Sequence, residues 1–315
     1  MRTLVVGAGQ VGPHIALHLA ERGEHVVLAS RSASGPDHPR VERRHLDATD
    51  PRAVDDALVD VDVVHLCVHA SAYRPDVWER ELFPLESVVL DAAARHDVHV
   101  VLPESVYAFD TSDVLDARLH VAPRSSMGRI RARLLDLRAA SPARTTSVVA
   151  SDFYGPGASM ALGGDRVLDP AVTGRPVRPL GRVDLPHAWT FLPDLAAAMV
   201  AAGEAPATVA GGSAIVLAPV VHATQRELAT AYAREAGRAR VRVRPVRAGV
   251  LRAAAPFSRS MAAMAEMSYL FTEPLLVDTR ASIEDLGVAP TALEDAVRRS
   301  VATRVGGPRP AVRAS

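Results

Sequence analysis

Short apolar runs alternate with amphipathic helical patterns along the first half of the chain. The apolar runs predict strands over 2–7, 24–30, 40–46, 61–68, 98–102 and 144–151. Helical patterns separate these runs, over 11–23, 50–60, from about Pro75 to His96, and around "APRSSMGRIRARLL" (122–135). Strands that alternate with helices form parallel sheets with crossover connections, so the order predicts an α/β fold with a doubly wound parallel sheet.

The texture of the chain changes beyond residue 151. "DFYGPGASM", "ALGGD" and "VTGRPVRPLG" predict loops rich in glycine and proline, of the kind that build substrate pockets at the ends of parallel strands. "SAIVLA" (213–218) predicts a return of the chain to the sheet. We therefore expect a smaller, loop-rich region in the C-terminal half that lies against the sheet.

"ARVRVRPVR" (239–247) alternates arginine with small or apolar residues. This pattern favours an edge strand with a solvated basic face over a nucleic-acid patch, because no aromatic residues are interleaved with the arginines. The closing stretch 303–315, which ends in "GGPRPAVRAS", is expected to be disordered.

The composition favours a small-molecule partner. The 36 basic residues balance 36 acidic ones, so net charge predicts no long-range attraction to nucleic acid or to a membrane. Cys67 is the single cysteine, which excludes an intrachain disulfide and a multi-cysteine metal site. With no apolar run long enough for a span and no room for a signal peptide, we expect a cytoplasmic address. All basic residues are arginine, which excludes Schiff-base chemistry at a lysine.

"GAGQVG" follows the first predicted strand and begins a helix. It places Gly7, Gly9 and Gly12 in a G-x-G-x-x-G pattern, with Gln10 and Val11 between the last two glycines. The glycines allow a tight turn, close approach of the backbone to a pyrophosphate, and close packing of helix on strand. In this context the pattern predicts a Rossmann-type dinucleotide site; the alternative is a glycine turn without a ligand.

The end of the second strand indicates which dinucleotide is preferred. Chains that bind NAD usually end this strand with Asp or Glu, whereas here Ser30 and Arg31 occupy these positions. Arginine can pair with a 2′-phosphate, so we predict NADP over NAD, with NAD as a second choice. The alternative is that Arg31 stacks on the adenine or faces solvent.

The chain resembles the extended short-chain dehydrogenase/reductase group, the NAD(P)-dependent epimerase/dehydratase-like proteins, and in particular an atypical branch of it. The resemblance rests on "GAGQVG", "HLDATD", "HLCV", "ESVYAF", "SDFYGPG", "TFLPDLAAAM" and the closing "VDTRASIEDLGVAPTALEDAV". It implies that Asp47 contacts the adenine and that Leu66, Cys67 and Val68 line the cofactor. It also implies an NADP-binding domain over 1–150 with a return segment near 191–222, and a substrate-binding region over 151–190 and 223–302.

The family's catalytic helix reads Y-x-x-x-K, which the resemblance aligns with Met127 and Arg131. Residues four apart share one helical face, which explains the spacing. Methionine has no exchangeable proton, so the usual proton shuttle is lost at this position. Arg131 could still bind the nicotinamide ribose and supply positive charge.

Other residues could replace the missing tyrosine. Ser105 resembles the family's catalytic serine, and Tyr107 is our first choice for a displaced phenol, being two residues further along a continuing strand. Asp152 stands where relatives keep an asparagine and could act as a base, and His187 lies in a loop expected to face the pocket. Each of the four could instead be structural. Two weaker candidates are Glu104, expected to be solvated, and Tyr154, expected to pack under a Gly-Pro turn.

We expect no catalytic metal, because Cys67 alone cannot make a zinc site, and no G-x-S-x-G elbow predicts a hydrolase. The leading hypothesis is an atypical NADP(H)-binding enzyme that transfers a hydride to or from a small carbonyl or hydroxyl compound. A redox-neutral isomerase, cyclase or dehydratase and a non-catalytic nucleotide sensor are the alternatives. Relatives pair through the helices that include 122–135, so a homodimer is compatible with the resemblance.

Overall fold

The computed structural model describes residues 1–205 and 212–305. The first half contains β1 (Thr3–Val6), α1 (Gly12–Glu21), β2 (Val26–Ser30), β3 (Val41–His45), α2 (Pro51–Ala57), β4 (Val63–Leu66), α3 (Pro75–His96), β5 (His99–Ser105), α4 (Ser126–Ala140) and β6 (Thr145–Ala150). The second half contains β7 (Asp152–Tyr154), α5 (Asp165–Thr173), β8 (Pro186–Phe191), α6 (Leu192–Glu204), β9 (Ser213–Leu217), β10 (Val221–Thr224), α7 (Gln225–Glu235), α8 (Ala248–Ala254), α9 (Arg259–Glu266), α10 (Arg280–Leu286) and α11 (Leu293–Val305). Short 3₁₀ turns lie at Val106–Ala108, Ala255–Phe257 and Met267–Phe271.

The main sheet has seven strands in the order β3-β2-β1-β4-β5-β6-β9, and every neighbouring pair is parallel. This confirms the predicted doubly wound α/β sheet and the return of "SAIVLA" as β9. The strand order reverses direction between β1 and β4, so the connections that leave the carboxyl ends of these two strands diverge and form a crevice. Ligands of such sheets bind at this edge, and the glycine loop lies there.

Burial explains why the strands are apolar on both faces. Val5 packs with α1 and α6 on one face of the sheet, while Leu4 and Val6 pack with α2 and α3 on the other. In β1, β4 and β6 every residue is buried, because helices cover both faces there, and the period-two alternation disappears. Asp50 caps α2, since its carboxylate accepts bonds from Arg52 N and Ala53 N.

A second sheet of three strands lies beyond residue 151, in the order β10-β8-β7. Asp152 pairs with Trp189 in parallel β7 and β8, and His187 pairs with Ala223 in antiparallel β8 and β10. The sequence predicts loops in this region, whereas the structure contains short strands. Their shortness and the flanking glycine and proline residues explain the difference. The small sheet places Asp152 and His187 on adjacent strands.

The predicted edge strand over "ARVRVRPVR" is wrong. The segment forms isolated bridges instead, Val243 with Val177 and Val246 with Leu180. Proline at 245 lacks an N–H and interrupts the ladder. The arginines of the segment are exposed, as predicted.

No helix in residues 1–205 and 212–305 is both long and apolar enough to span a bilayer. The closing stretch 303–315 is predicted to be disordered, and 306–315 of it lie outside the described residues. The division into an NADP-binding domain and a substrate-binding region stays a prediction.

Candidate active site

The glycine loop fits a dinucleotide. Gly7 has φ +110°, and a Cβ at this residue would lie 2.6 Å from the carbonyl oxygen of Cys67. A Cβ at Gly12 would lie 1.9 Å from the oxygen of Gly7, whereas a Cβ at Gly9 would have no atom of the described residues within 4 Å. Gly7 and Gly12 therefore allow close packing of β1, α1 and the end of β4, and Gly9 leaves open space for a phosphate.

The amino end of α1 attracts anions. Val11 is the N-cap and makes no side-chain capping bond, Pro13 occupies the first turn, and that turn has no acidic residue. Pro13 has no N–H and His14 N donates to Val11 O at 3.0 Å, so the Gly12 N–H is the group of this turn that can face a ligand, and the helix dipole adds partial positive charge.

The loop that follows β7 is fastened to the glycine loop. Gln10 Oε1 accepts a hydrogen bond of 2.9 Å from Met160 N, and His14 Nε2 donates one of 2.8 Å to Pro156 O. Burial of His14 lowers the pKa of its imidazole. Gln10 thus serves a structural contact in addition to its predicted place beside the cofactor.

The carboxyl end of β2 has no carboxylate of its own. Ser30 Oγ accepts a bond from Ser34 N, and Arg31 is exposed and forms no ion pair within the described part of the chain. Asp47 lies near Arg31, and hydrogen bonds from the N and Oγ1 of Thr49 hold the pKa of Asp47 below its usual range. The Asp47 carboxylate is therefore anionic and fixed in orientation.

Leu66 ends β4, and Cys67 and Val68 follow it beside the glycine loop. Leu66 and Cys67 are buried, Val68 is partly buried, and Cys67 N donates to Val6 O at 2.7 Å. Burial raises the pKa of the Cys67 thiol, so this cysteine is an inert packing residue rather than a nucleophile.

Met127 and Arg131 lie one turn apart on α4. Met127 is fully buried in the apolar core, where its thioether has no catalytic use. The Arg131 guanidinium stacks 4.6 Å from the ring centroid of Trp78, and its Nε lies 3.5 Å from Glu104 Oε1. Arg131 is 8% exposed. The helix therefore holds an oriented cation but no proton donor at this position.

Glu104 is not solvated, contrary to the prediction, but fully buried within a network of charges. Arg138 Nη1 donates to Glu104 Oε2 at 2.8 Å and to Ser147 Oγ at 3.0 Å, and Arg138 Nε and Nη2 each donate to Glu86 at 2.8 Å. Burial alone would lower the pKa of Arg138, but the two carboxylates outweigh it and raise the pKa. The network connects α3, β5, β6 and α4, and through Glu104 it reaches Arg131.

Asp152 and His187 form a buried pair. His187 Nε2 donates to Asp152 Oδ2 at 2.8 Å, with side-chain exposures of 4% and 11% respectively. Phe271 stacks on the imidazole at 5.0 Å between ring centroids. Two residues predicted separately from the sequence are therefore hydrogen-bonded, and the stacked ring restricts the imidazole to this orientation.

Tyr107 is not on a continuing strand, because β5 ends at Ser105 and Val106–Ala108 form a 3₁₀ turn. The turn brings its hydroxyl within hydrogen-bonding reach of Tyr73. Burial, Tyr73 and the charge of Asp152 raise the pKa of Tyr107 well above its usual value. Burial also raises the pKa of Tyr73 to about 12, although the bond with Tyr107 lowers it. The two phenols and the Asp152 carboxylate thus influence one another electrostatically.

Ser105 and Tyr154 contact other parts of the fold. Ser105 Oγ lies 3.5 Å from Glu104 Oε1, and Ser105 N donates to the same oxygen at 2.7 Å. Tyr154 is fully buried against Phe191, with ring centroids 5.3 Å apart. Burial raises the pKa of Tyr154. Within residues 1–205 and 212–305 no group of three or more metal-ligating side chains comes together.

A family model described as the NAD dependent epimerase/dehydratase family matches residues 3–218, more than half of the chain. This chain belongs to that family. Membership confirms the resemblance found in the sequence and makes the chain an epimerase/dehydratase-like enzyme. A comparison with curated proteins gave no match.

Several solved structures share the fold. UDP-N-acetylglucosamine 4-epimerase from Bacillus cereus is 13% identical with a TM-score of 0.75, and the alignment covers 98% of each chain. UDP-glucose 4-epimerase from Thermus thermophilus, solved in complex with NAD, is 19% identical with a TM-score of 0.73, covering 98% of this chain and 100% of that one. UDP-glucuronic acid 4-epimerase from Bacillus cereus, also with NAD, is 16% identical with a TM-score of 0.73, covering 96% and 97%. At these identities the likeness concerns the fold.

The resemblance to the family assigns Met127 and Arg131 to its Tyr and Lys positions, and this assignment stays a prediction. The sequence reading missed three residues of the site: Tyr73, Trp78 and Arg138. Tyr73 follows β4 in a segment without periodicity, and Trp78 and Arg138 lie on helices where their positions give no sign of a shared site. The one available signal was the pairing of Glu104 with an arginine-rich helix, since a buried carboxylate requires a cation.

Proposed function

We propose that the chain is an NADP(H)-binding enzyme that acts on a small carbonyl or hydroxyl compound. Gly9, the amino end of α1 and Asp47 would hold the pyrophosphate and adenine side, and Arg131 the nicotinamide ribose. When bound, the nicotinamide supplies a hydride donor or acceptor. The chain's own residues then have to bind the substrate oxygen and move its proton.

Preference for NADP over NAD is supported by the end of β2. A 2′-phosphate carries negative charge, and Arg31 offers an exposed guanidinium that forms no ion pair in the described residues. Ser32 and Ser34 follow, with their hydroxyl oxygens 2.9 Å apart, and both can donate hydrogen bonds. The nearby Asp47 carboxylate is engaged by Thr49 and oriented by it.

Proton transfer is the part of the reaction that the lost tyrosine leaves open. Tyr107 and Tyr73 provide exchangeable phenolic protons, and the hydrogen-bonded Asp152 and His187 can accept or return a proton. Since the bond between the phenols lowers the pKa of Tyr73 and raises that of Tyr107, Tyr73 is the phenol that gives up its proton first. Arg131 lies close enough to lower the pKa of both, so it stabilises a phenolate.

The observation that carries the proposal is the juxtaposition of the Asp152–His187 pair with two phenols and a buried arginine. Titratable groups with perturbed pKa values gather at functional sites, and burial raises the pKa of both phenols, Tyr73 and Tyr107. If these groups had only a structural role, each buried polar atom would have a hydrogen-bond partner within the core. The Arg131 Nε, however, is buried without a hydrogen-bond partner among the described residues.

A redox-neutral reaction is the second candidate. The family is named for epimerases and dehydratases, and the solved structures described above are 4-epimerases. In such a reaction the nucleotide would be restored within each turnover. Absorbance of the reduced nicotinamide at ~340 nm separates the two candidates, because a net redox reaction changes it and a redox-neutral one does not.

The test begins with gentle purification and mass spectrometry of any retained nucleotide and ligand. Titration calorimetry then compares the affinities for NADPH and NADH. Arg31→Gln should weaken the binding of NADPH by about tenfold and leave the binding of NADH unchanged. Turnover is screened on carbonyl compounds and nucleotide sugars, with Tyr73→Phe and Tyr107→Phe compared against Tyr232→Phe, a buried phenol on α7. If properly folded protein binds neither nucleotide, the proposal fails; if the Tyr73 and Tyr107 variants match Tyr232→Phe, the proton-transfer assignment fails.

A further inference from the structure

Arginines are distributed very unevenly along the chain. The segments 170–183 and 236–265 contain ten arginines and no aspartate or glutamate. Because the whole chain has equal numbers of acidic and basic residues, the remainder carries ten more carboxylates than arginines. The net charge of zero therefore does not describe the local field, which depends on how charges are placed.

The two segments lie side by side. Val177 N donates to Arg242 O and Gly181 N donates to Val246 O, both at 2.9 Å. Val177 is fully buried and Leu180 is 7% exposed, so the apolar side chains attach the pair to the core. The arginines of both segments are left on the solvent side.

Nine of these arginines form what we call the arginine surface: Arg175, Arg178, Arg182, Arg238, Arg240, Arg242, Arg244, Arg247 and Arg252. All nine are exposed, and within residues 1–205 and 212–305 none of them forms an ion pair. The tenth, Arg259, contacts Asp76. Many exposed carboxylates elsewhere in the fold pair with an arginine, so this concentration of unneutralised charge is a local property.

Exposed apolar side chains adjoin the arginine surface. Phe257 is 89% exposed and Val250 is 58% exposed, both in the α8 region that begins directly after Arg247. Leu251 of α8 is buried in the same apolar cluster as Leu180, which fixes the helix beside the two arginine segments. A large apolar ring in water, within a field of cations, needs a partner that accepts both.

We propose that the arginine surface, with Phe257 and Val250, binds the anionic headgroup face of a lipid bilayer. Arginine pairs with phosphate through two parallel hydrogen bonds, and basic residues near an anionic membrane add their attractions. Phe257 and Val250 would enter the boundary between headgroups and acyl chains, as apolar residues of peripheral proteins do. Single-stranded nucleic acid fits less well, since it needs several stacking rings and Phe257 is the one aromatic residue in 170–183 and 236–265.

The inference departs from the expectation drawn from net charge, and it is independent of the proposed enzymatic activity. It is tested with the full chain and vesicles of phosphatidylcholine, with or without about 30% phosphatidylserine, in a flotation assay at ~50 mM and ~500 mM NaCl. We expect binding to the anionic vesicles at low salt, little binding at high salt, and none to phosphatidylcholine alone.

Two triple variants distinguish the surface from general charge. Each basic residue near the membrane raises the partition coefficient into anionic vesicles by about a factor of five. R240Q/R242Q/R244Q should therefore lower this coefficient by about a hundredfold. The matched control R40Q/R52Q/R166Q removes three exposed arginines elsewhere that form no ion pair in the described chain, and it should bind within about twofold of the parent. Phe257→Ala should lower the partition coefficient by about tenfold at either salt concentration.

Three results would overturn the proposal. The first is absence of binding to anionic vesicles at low salt by protein with a normal circular dichroism spectrum. The second is equal loss in the two triple variants. The third is a preference for single-stranded RNA or for self-association, each abolished by R240Q/R242Q/R244Q while vesicle binding is unchanged.

Discussion

Arg138→Met tests the buried charge network that underlies α4. Methionine has a similar length but no charge, so the substitution keeps most of the packing and leaves Glu86 and Glu104 without their cation. Both carboxylates are almost completely buried, with side-chain exposures of 6% and 0%. A buried carboxylate that loses its partner must be desolvated without compensation or take up a proton.

The expected loss is large compared with that of an exposed pair. Removing one partner of a buried ion pair costs about 3–5 kcal/mol, and Arg138 holds two carboxylates and the Ser147 hydroxyl. For a chain of this size, about 4 kcal/mol corresponds to a fall in Tm of roughly 6 °C. Arg133→Met on the same helix is the matched control, because Arg133 pairs with Glu79 with both side chains more than half exposed. We expect it to cost less than about 1 kcal/mol.

Urea unfolding at about pH 7, followed by tryptophan fluorescence, measures both variants. A second comparison adds Glu86→Gln and Glu104→Gln to Arg138→Met, which removes the uncompensated charges and should recover part of the loss. If Arg138→Met and Arg133→Met lose the same free energy of unfolding, the buried network does not stabilise the fold as argued. If the added glutamines recover nothing, the loss arises from packing rather than from charge.

Three further predictions concern the loop, the core histidine and the phenols. Gly12→Ala should destabilise the fold because its Cβ meets Gly7 O, whereas Gly9→Ala should leave urea unfolding unchanged and weaken NADPH in calorimetry. Burial lowers the pKa of His65 from its ordinary 6.5 to about 3. Below pH 6.5 the unfolded chain therefore protonates His65 whereas the folded chain does not. The stability that is present above pH 6.5 is lost as the pH falls toward 3. The loss at about pH 5 should be about 2 kcal/mol, and His65→Leu should flatten the pH dependence of urea midpoints; identical slopes would contradict this. Asp152→Asn removes a charge that raises the pKa of Tyr73, so tyrosinate absorbance near ~295 nm should develop at lower pH than in the parent, and an unchanged titration would show that Asp152 does not act on the phenols.

The sequence predicts the part of the fold that repeats a simple physical rule. Residues such as Val5 and Val64 are buried by helices on both faces, so the strands are continuous apolar runs that can be recognised without a structure. The glycine loop is equally local, because Gly7 and Gly12 are required by contacts within one turn and the neighbouring strand. These features let the fold and the place of a cofactor be predicted.

The rest depends on distant contacts that no local pattern records. Glu104 looks solvated in sequence, yet Arg138, 34 residues further on, makes its burial favourable. Asp152 and His187 are each predicted as single candidates, but their bond depends on the register of β7 beside β8. Tyr73 lies in a loop without periodicity and gains its role from Tyr107, which a 3₁₀ turn brings toward it.

The contacts of Gln10 and His14 with the segment after β7 join two regions whose sequence positions differ by about 150. The same segment is continuous with Asp152, since Gly155 and Pro156 follow β7 at once. Displacement of the glycine loop therefore pulls on the strand that carries the carboxylate. Through these contacts, a dinucleotide bound in the crevice would influence the position of Asp152 relative to His187. A different nucleotide would therefore change the alignment of this pair.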